Sequence, residues 1–281
     1  MFPTLCDRRF IDMALEEDVG SGDLSAALIP EGARARFVIA ARENLVACGL
    51  PIADYLLRLA AKDDVAIDYA AREGQKMRAG EAMMAGEAPA RALLTAERTA
   101  LNFIRQLSAV ATFAARLCEE MEGTGARLLD TRKTLPGMRS MQKYAARVGG
   151  AKNHRFGLYD GVMIKDNHIA VCGSIERAVD EARRRAPLLT KIEVECDSLE
   201  QVEECLTRAL PDVVMLDNMS EEDMRLAVAM RRDLGSTITF EASGNVTLSR
   251  VRAVAETGVE CISVGALTHS PPPVDIGLDV V

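Results

Sequence analysis

Apolar residues recur at helical spacing near the start of the chain and fall into short runs after it. Over residues 6–20 they include Ile11, Leu15 and Val19, which predicts an amphipathic helix. Between residues 30 and 90 the apolar runs are short and Gly-containing turns separate them, as in hairpin strands. This region is therefore predicted to form a small, mainly β sandwich with helices against it. Its predicted elements are strands within 34–46 and 65–86 and a helix over 52–61.

A longer helical pattern follows this region. Residues 92–121 carry an apolar stripe on one helix face. The stripe consists of Leu94, Leu101, Ile104, Leu107 and Ala111. We place the domain boundary on this helix. The predicted domains are an α/β sandwich over 1–110, to which the tail 270–281 could return, and a barrel domain over 111–269.

After Gly125 the pattern becomes regular, because strand-like apolar runs alternate with helical segments. This alternation predicts βαβ units and a parallel sheet. The strands are expected at 126–130, 161–165, 191–195, 212–216, 237–241 and 261–264. The helices are expected at about 138–148, 174–186, 198–209, 220–233 and 247–257. The alternation alone fits both an α/β barrel and an open, doubly wound sheet.

Polar residues decide between these two folds, because they follow the C-terminal end of each predicted strand. In an α/β barrel those ends converge on one mouth, where active sites lie, whereas an open sheet spreads them along a line. The groups in question are Asp130, Arg132 and Lys133; Lys165; Glu193 and Glu195; Asp217 and Asn218; Glu241 and 243–245; and 264–266. Convergence from six strands favours the barrel.

Composition narrows the class of protein. The 281 residues are 48% hydrophobic and 27% charged, which indicates a globular protein. No apolar run reaches the roughly 18 residues that a membrane helix needs, and the charged N-terminus is unlike a signal peptide. A net charge of −8 argues against nucleic acid as the main partner. The seven cysteines are scattered, which indicates buried, reduced thiols and a cytoplasmic protein.

Charge is unevenly distributed in this acidic chain. Residues 127–165 contain nine Lys or Arg and only two acidic residues. Arg132, Lys133, Arg155 and Lys165 are candidate carboxylate ligands, because guanidinium and ammonium groups bind such anions. The alternative is a solvated basic face. Because these residues lie at strand ends or beside a Gly-Gly turn, we expect a small anionic ligand instead.

A phosphate site is predicted at the last two strand ends. Ser243, Gly244 and Asn245 precede a helix, and Val264, Gly265 and Ala266 follow the last strand. Barrels often bind phosphate in their last two loops through backbone N–H groups and a helix N-terminus. Ser-Gly-Asn alone is ordinary turn chemistry, and only its pairing with the next strand end favours phosphate.

Three further features leave alternatives open. Glu195 and Asp217, at adjacent strand ends, fit either Mg²⁺ coordination beside a pyrophosphate or ion pairs with Lys165 or Arg132. A lysine at a barrel strand end, such as Lys165, could also form a Schiff base. Among the three histidines we predict a pocket role for His154 and structural roles for the other two, His168 and His269.

Ordered motifs over nearly the whole chain resemble those of the quinolinate phosphoribosyltransferases. They are TAERTALNF (95–103), LLDTRKTLPGMR (128–139), KYAARVGGAKNHRFGLYDGVMIKDNH (143–168), KIEVECDSLEQ (191–201), VVMLDNMS (213–220), EASGN (241–245) and ETGVECISVGALTHS (256–270). A molybdenum-associated family shares the TRK-type start but differs at Asn153-His154-Arg155 and at 165–168, so it ranks second. One departure is Ala109, where the family commonly has Gly, and it concerns helix packing.

The resemblance implies a fold, a reaction and a cofactor. The fold is an N-terminal α/β sandwich followed by an incomplete (β/α) TIM-like barrel. The reaction joins quinolinate to phosphoribosyl pyrophosphate (PRPP) and releases CO₂ and pyrophosphate, giving nicotinate mononucleotide for NAD biosynthesis, with Mg²⁺. The resemblance also implies a cytoplasmic homodimer with shared active sites, or a hexamer, without nucleic acid or membrane partners.

The same resemblance implies roles for individual residues. Lys133, Lys165, Glu195 and Asp217 are the expected catalytic residues, and the last two are also expected near Mg²⁺ and the ribose hydroxyls. The quinolinate site is expected to contain Arg132, Lys133, His154, Arg155 and Lys165, with Arg98 reaching in from a partner subunit. Thr131 is expected among the substrate-binding residues. The 5′-phosphate site is expected to contain Ser243, Gly244, Asn245, Val264, Gly265 and Ala266.

Overall fold

The computed structural model describes residues 3–281, except the side chains of residues 5 and 6, so the thiol of Cys6 lies outside the described residues. The chain divides into two compact units. The first unit comprises Met1–Ala115, Thr134–Gly150 and Thr268–Val281, and the second comprises Arg116–Lys133 and Ala151–Leu267. The domain boundary that the sequence places after residue 110 stays a prediction. No helix within the described residues is long and apolar enough to cross a bilayer.

The first unit is built on an antiparallel sheet. Its helix α1 begins with a capping box, in which the side chains of Thr4 and Asp7 each accept the other's backbone N–H. The elements up to the long helix are α1 (Leu5–Val19), β1 (Arg34–Ala41), β2 (Leu45–Val46), α2 (Leu50–Ala61), β3 (Ala66–Ala70), β4 (Lys76–Met77), β5 (Ala82–Pro89) and α3 (Ala90–Glu120). These elements match the predicted sandwich region.

The C-terminal residues complete this antiparallel sheet. Strand β12 (Ile276–Val280) pairs antiparallel with β1, which also pairs with β5, and β5 pairs with β3. The order β12-β1-β5-β3 therefore places the last strand of the chain at one edge. A separate two-stranded ladder joins β2 and β4.

A second helix of the first unit comes from the middle of the chain. Helix α4 (Arg139–Val148) ends at Gly149, where an added Cβ would lie 2.2 Å from the backbone oxygen of Ala111. Only glycine allows this close approach to α3. Tyr144 Oη donates to Glu73 at 3.0 Å, and Gln142 donates to the backbone oxygen of Thr268 at 2.6 Å. The Gly-Gly turn, which the sequence places beside the pocket, therefore serves helix packing.

The second unit contains a six-stranded sheet whose pairs are all parallel. Its strands are β6 (Arg127–Leu129), β7 (Val162–Ile164), β8 (Ile192–Cys196), β9 (Val213–Asp217), β10 (Thr239–Ser243) and β11 (Cys261–Ser263). The order is β6-β11-β10-β9-β8-β7. Strands β7 to β11 are neighbours in succession and β6 lies beside the last, which is the circular order of a barrel opened between β6 and β7. The predicted incomplete barrel is confirmed.

Helices alternate with these strands. They are α5 (Asp166–Cys172), α6 (Ile175–Arg185), α7 (Leu199–Glu204) with a π-helical turn Cys205–Ala209, α8 (Glu221–Asp233), α9 (Val251–Ala255) and α10 (Ala266–His269). Ser174, Ser198 and Ser220 cap α6, α7 and α8 through their side chains. The helix predicted over 247–257 is shorter, because residues 248–250 form a turn. Helix α5 is not predicted by the sequence pattern.

Strand register places the acidic residues of the sheet on one face. Glu195 is level with Met215 on β9, and Met215 is level with Glu241 on β10. Residues level with each other across a sheet point to the same side, and residues two apart on one strand do so as well. On the opposite face the Sγ atoms of Cys196 and Cys205 are 3.6 Å apart in the helical layer. The carboxylates therefore face the barrel interior.

Candidate active site

The loop after Lys152 is held against the end of β6. Lys152 forms a parallel bridge with Leu129, which extends the sheet at its open edge. The carboxylate of Asp130, which is fully buried, accepts from Asn153 Nδ2 at 2.5 Å and from the backbone N–H of His154 at 2.8 Å. The sequence identifies Asp130 only as a strand-end residue. In the structure it fixes the loop that carries two predicted ligands.

The imidazole of His154 is engaged at both nitrogens. Its Nε2 lies 2.9 Å from Oε2 of Glu193 and 3.5 Å from Oε2 of Glu241. Its Nδ1 accepts the backbone N–H of Arg155 at 2.7 Å. The predicted pocket residue His154 is therefore held between the barrel interior and its own loop.

The sequence identifies Glu193 and Glu241 only as polar groups at strand ends, without a role in the site, although they lie at the centre of this arrangement. Their exposed fractions are 6% and 2%. Burial, and then the negative charge of Glu193, raises the pKa of Glu241 to about 7, against the opposing effect of His154. The signal available in the sequence is an acidic residue at the inward position of an otherwise apolar strand.

Arg132 and Arg155 form a cationic pair. Burial lowers the pKa of Arg155, and the positive charge of Arg132 lowers it further. The guanidinium of Arg155 donates to the backbone oxygen of Gly161 at 3.0 Å. Two half-buried guanidinium groups repel each other, and a bound anion would relieve that repulsion.

Lys165 forms an ion pair with Glu195, which is one of the two roles that the sequence leaves open for this carboxylate. Asp217, on the adjacent strand, accepts from the side chain of Asn218 at 2.8 Å. The register places Asp217 one inward position beyond Glu195, because Glu195 is level with Met215. A lysine and two carboxylates therefore follow one another along one side of the interior.

The turns after β9 and β10 are tied together. Asn218 and Asn245 have φ angles of 55° and 50°, and the side chain of Asn245 donates to Asn218 Oδ1 at 3.1 Å. Between them Gly244 has φ of 93°, and an added Cβ would lie 2.2 Å from Asn218 Oδ1. The backbone N–H of Asn218 donates to the oxygen of Ser243 at 2.9 Å. Left-handed residues are often concentrated at ligand sites, where packing holds their strain.

The remaining predicted residues are distributed as follows. Thr131 Oγ1 accepts the backbone N–H of Lys133 at 3.0 Å. After β11, the N–H of Val264 donates to the oxygen of Leu129 at 3.1 Å, and α10 begins at Ala266, directly after Gly265. Arg98 is exposed on α3 and belongs to the first unit.

The two other histidines bond to nearby polar groups. Nδ1 of His168 accepts the backbone N–H of Lys165 at 3.1 Å, and this bond closes the first turn of α5. Nδ1 of His269 lies 2.8 Å from the hydroxyl of Ser270. Both contacts are local, since each joins residues three or fewer positions apart in the sequence.

The fold and the site together define a class of protein: an α/β-barrel protein whose cationic residues suit small anionic ligands. Family models for the quinolinate phosphoribosyl transferase N-terminal and C-terminal domains match residues 23–108 and 110–279. The chain belongs to the quinolinate phosphoribosyltransferase family, which confirms the resemblance found in the sequence.

Individual relatives agree with this assignment. The chain is 41% identical to the nicotinate-nucleotide pyrophosphorylase [carboxylating] of Mycobacterium leprae, over 97% of this chain and 96% of that protein. The solved nicotinate-nucleotide pyrophosphorylase of Francisella tularensis is similar with a TM-score of 0.94 and 37% identity, covering 100% and 98% of the two chains. That of Ehrlichia chaffeensis gives 0.93 and 38%, with 100% of both chains covered.

Proposed function

We propose that the chain catalyses the nicotinate-nucleotide pyrophosphorylase (carboxylating) reaction of NAD biosynthesis. Quinolinate would take the phosphoribosyl group of PRPP on its ring nitrogen and lose its 2-carboxylate, giving nicotinate mononucleotide, pyrophosphate and CO₂. The observation that carries the proposal is the pair Arg132 and Arg155, since burial and then the positive charge of Arg132 lower the pKa of Arg155. Quinolinate presents two adjacent carboxylates that fit two neighbouring guanidinium groups.

The proposed quinolinate site uses the cations around this pair. Arg132 and Arg155 bind the carboxylates, with Lys133, Lys165 and Thr131 beside them, and His154 lines the same pocket. Arg98 of a second subunit completes the site. This arrangement explains why a protein of net charge −8 concentrates basic residues between 127 and 165.

The proposed PRPP site lies on the other side of the mouth. The turn 243–245 and the segment 264–266 bind the 5′-phosphate through backbone N–H groups. The hydrogen bond between the side chains of Asn218 and Asn245 supports this assignment, because it holds the turn in a strained, preorganised conformation beside Asp217. Glu195 and Asp217 then lie next to the ribose.

Catalysis in this scheme is largely electrostatic. As the pyridine nitrogen attacks C1 of the ribose, positive charge develops on the ring carbon and oxygen, and Glu195 and Asp217 stabilise it. Lys165, paired with Glu195, keeps that carboxylate oriented. Loss of the 2-carboxylate then leaves a carbanion beside the pyridinium charge, which Lys133 stabilises further. A proton from solvent then adds to C2 and gives nicotinate mononucleotide. In the earlier step the pocket must keep water away from C1 of the ribose, where it would compete with the pyridine nitrogen.

Mg²⁺ is part of the proposed function. Glu195 and Asp217 fit it, because carboxylate oxygens are the donors that Mg²⁺ prefers and both face the interior from adjacent strands. Two protein carboxylates leave the remaining positions for substrate oxygens and water. When bound, the ion would neutralise the pyrophosphate.

We further propose a homodimer in the cytoplasm, or a hexamer. In the second unit a cavity of about 610 Å³ lies along β7 and α6, at the open side of the barrel. A free strand edge and an apolar groove favour coverage by another protein surface. The described cysteines are free, including the neighbours Cys196 and Cys205, as expected in a reducing compartment.

The decisive experiment is incubation with quinolinate, PRPP and Mg²⁺, followed by chromatographic detection of nicotinate mononucleotide and pyrophosphate. The expected products appear in equal amounts with CO₂. Nicotinate in place of quinolinate is the control, because it lacks the 2-carboxylate. Absence of product at micromolar enzyme would refute the proposal, and tight quinolinate binding without turnover would instead indicate a binding protein.

A further inference from the structure

The buried cluster of His154, Glu193 and Glu241 is the least expected feature of the barrel interior. One atom from each side chain lies within 4.8 Å of the others. The second oxygens of both carboxylates, Oε1 of Glu193 and Oε1 of Glu241, are buried without a hydrogen-bond partner. Burying a carboxylate oxygen without a hydrogen-bond partner costs free energy, so the cluster requires an explanation.

Hydrogen-bond directions fix the protonation of the imidazole. Because the backbone N–H of Arg155 donates to Nδ1, that nitrogen presents a lone pair and carries no proton. The ring proton is therefore on Nε2, which donates to Oε2 of Glu193. Protonating Nδ1 as well would place two hydrogens against each other.

The second carboxyl completes this arrangement. Oε2 of Glu241 is 3.5 Å from the same Nε2, too far for a good hydrogen bond, and the side chain is 3% exposed. With a pKa of about 7, Glu241 is largely protonated in mildly acidic solution, which removes its charge repulsion with Glu193. The acceptor for the Nε2–H of His154 is therefore Glu193 and not Glu241.

The consequence falls on Arg155. Asp130 fixes the backbone of His154, and Glu193 fixes its ring. The ring in turn accepts the backbone N–H of Arg155. The barrel interior therefore orients the backbone of Arg155 through His154. Its guanidinium group donates a hydrogen bond to the backbone oxygen of Gly161. The same group is close enough to Arg132 for the two positive charges to repel each other.

We propose that Glu193 and Glu241 are positioning residues that hold His154 as the Nε2–H tautomer and thereby aim Arg155 at the quinolinate carboxylates. Both ring nitrogens are bonded within the protein, so His154 lines the pocket without donating to the ligand. This inference rests on the proposed function, because it assigns quinolinate to Arg155.

A spectroscopic experiment tests the tautomer without reference to activity. The chain has three histidines, so the protein labelled with ¹⁵N-histidine gives few ring signals, and His168→Gln and His269→Gln variants assign them. We expect His154 in the ligand-free protein at pH 7 to show one protonated and one unprotonated nitrogen, with the proton on Nε2. An imidazolium or an Nδ1–H tautomer would overturn the proposal. So would a stoichiometric metal ion bound to Nε2 after dialysis.

A kinetic experiment tests the positioning. Glu193→Leu removes the acceptor and should raise KM for quinolinate about tenfold or more, with KM for PRPP changed less than about twofold. Glu193→Gln keeps an acceptor oxygen and should restore KM for quinolinate to within about threefold. Glu260→Gln is the matched control. Its carboxylate pairs with Arg231, just before β11 at the opposite end of the strands, and its KM values should not change.

The outcomes separate the two proposals. Equal increases in both KM values, or lost stability with unchanged KM values, would show a merely structural role and overturn this inference. If Glu193→Leu does not fold, Glu193→Gln and the histidine spectra decide. If the wild-type protein makes no nicotinate mononucleotide, the proposed function fails, while the spectra still test the tautomer.

Discussion

Glu193 and His154 are 39 residues apart in the sequence, yet Oε2 of the first lies 2.9 Å from Nε2 of the second. The contact joins an interior strand of the barrel to the loop that carries Arg155. It exists only because parallel β8 points Glu193 inward while Asp130 holds the loop after Lys152 against β6. The candidate substrate-binding cations are therefore supported from inside the barrel.

The elevated pKa of Glu241 predicts a pH-dependent difference in stability between the wild-type protein and Glu241→Gln. The folded-state pKa is about 7, above the ordinary value of 4.5, so the stability from the protonated carboxyl is present below pH 4.5 and is lost as pH rises through 7. Glutamine does not ionise. Between pH 5 and pH 8.5 the variant should gain roughly 2.5 kcal/mol relative to wild type, measured by urea unfolding.

Glu260→Gln is the control for this prediction. Burial tends to raise the pKa of Glu260, but its hydrogen bond with Arg231 and those with the backbone bring it below the usual value. Its ionisation is complete well before pH 5, so the difference from wild type should stay constant over the same range. A constant difference for Glu241→Gln would contradict the prediction.

Replacing Arg155 by lysine should weaken quinolinate binding selectively. Lysine keeps the charge but loses the planar fork, so we expect KM for quinolinate to rise about 10- to 100-fold while KM for PRPP changes little. Steady-state kinetics with each substrate varied in turn provide the measurement. Arg184→Ala, which breaks an exposed ion pair on α6, should leave both values unchanged.

Lys133→Ala and Lys165→Ala should each abolish turnover while leaving the fold intact. Lys133→Ala removes the cation beside the carbanion, and Lys165→Ala frees the Glu195 carboxylate that Lys165 orients, so each should lower kcat about 100-fold or more. Thermal unfolding should change little, because neither side chain is buried and the Lys165–Glu195 ion pair is partly exposed. Insoluble or unfolded protein in both cases would identify these lysines as structural.

Gly244→Ala should impair PRPP binding and stability together. The added methyl would lie 2.2 Å from Asn218 Oδ1, and φ of 93° is strained for alanine. We expect a loss of about 1–3 kcal/mol in unfolding free energy and a raised KM for PRPP. In the matched control, Gly235→Ala, φ is 64° with nothing within 4 Å of the added Cβ, so only the stability should fall. An unchanged KM for PRPP in Gly244→Ala would argue against a phosphate site at this turn.

Mixing two inactive variants tests the shared active site. If Arg98 serves the partner's site, each active site takes Arg98 from one subunit and Lys165 from the other. A hybrid dimer of one Arg98→Ala subunit and one Lys165→Ala subunit then contains one intact site. Random mixing after mild dissociation should restore about a quarter of wild-type activity. No recovery, with hybrid formation verified by mass spectrometry, would place Arg98 outside the partner's site.

Much of the fold is predictable because it depends on local periodicity. The six strands of the second unit and most of its helices follow the alternation of apolar runs and amphipathic segments. Helix α5 is not predicted, because Asp166-Asn167-His168 has the polar composition of a strand end. In the structure His168 accepts the backbone N–H of Lys165, and this bond closes the first turn of the helix. The Gly149-Gly150 turn is placed beside the pocket by the sequence pattern, although its close contact is with α3.

The candidate site is predictable only in part. Charge clustering and strand-end positions in the sequence identify Arg132, Arg155 and Lys165 as candidate ligands. The same reasoning places Asp130, Glu193 and Glu241 at strand ends but does not find their roles, because the sequence shows only an acidic residue at the end of an apolar strand. Its function depends on the hydrogen donors that the fold brings to it, and these come from distant segments.

By itself, the sequence determined the two-part architecture, the alternation of strands and helices in the barrel, the family and the set of cationic residues. These features are properties of spacing and residue type, so they can be recognised without coordinates. Only the tertiary structure decided which groups meet: Glu193 with His154, Lys165 with Glu195, and Asn218 with Asn245. The reason is that strand register and loop closure set side-chain distances to within an ångström, and hydrogen bonding and charge interaction depend on distance at that scale.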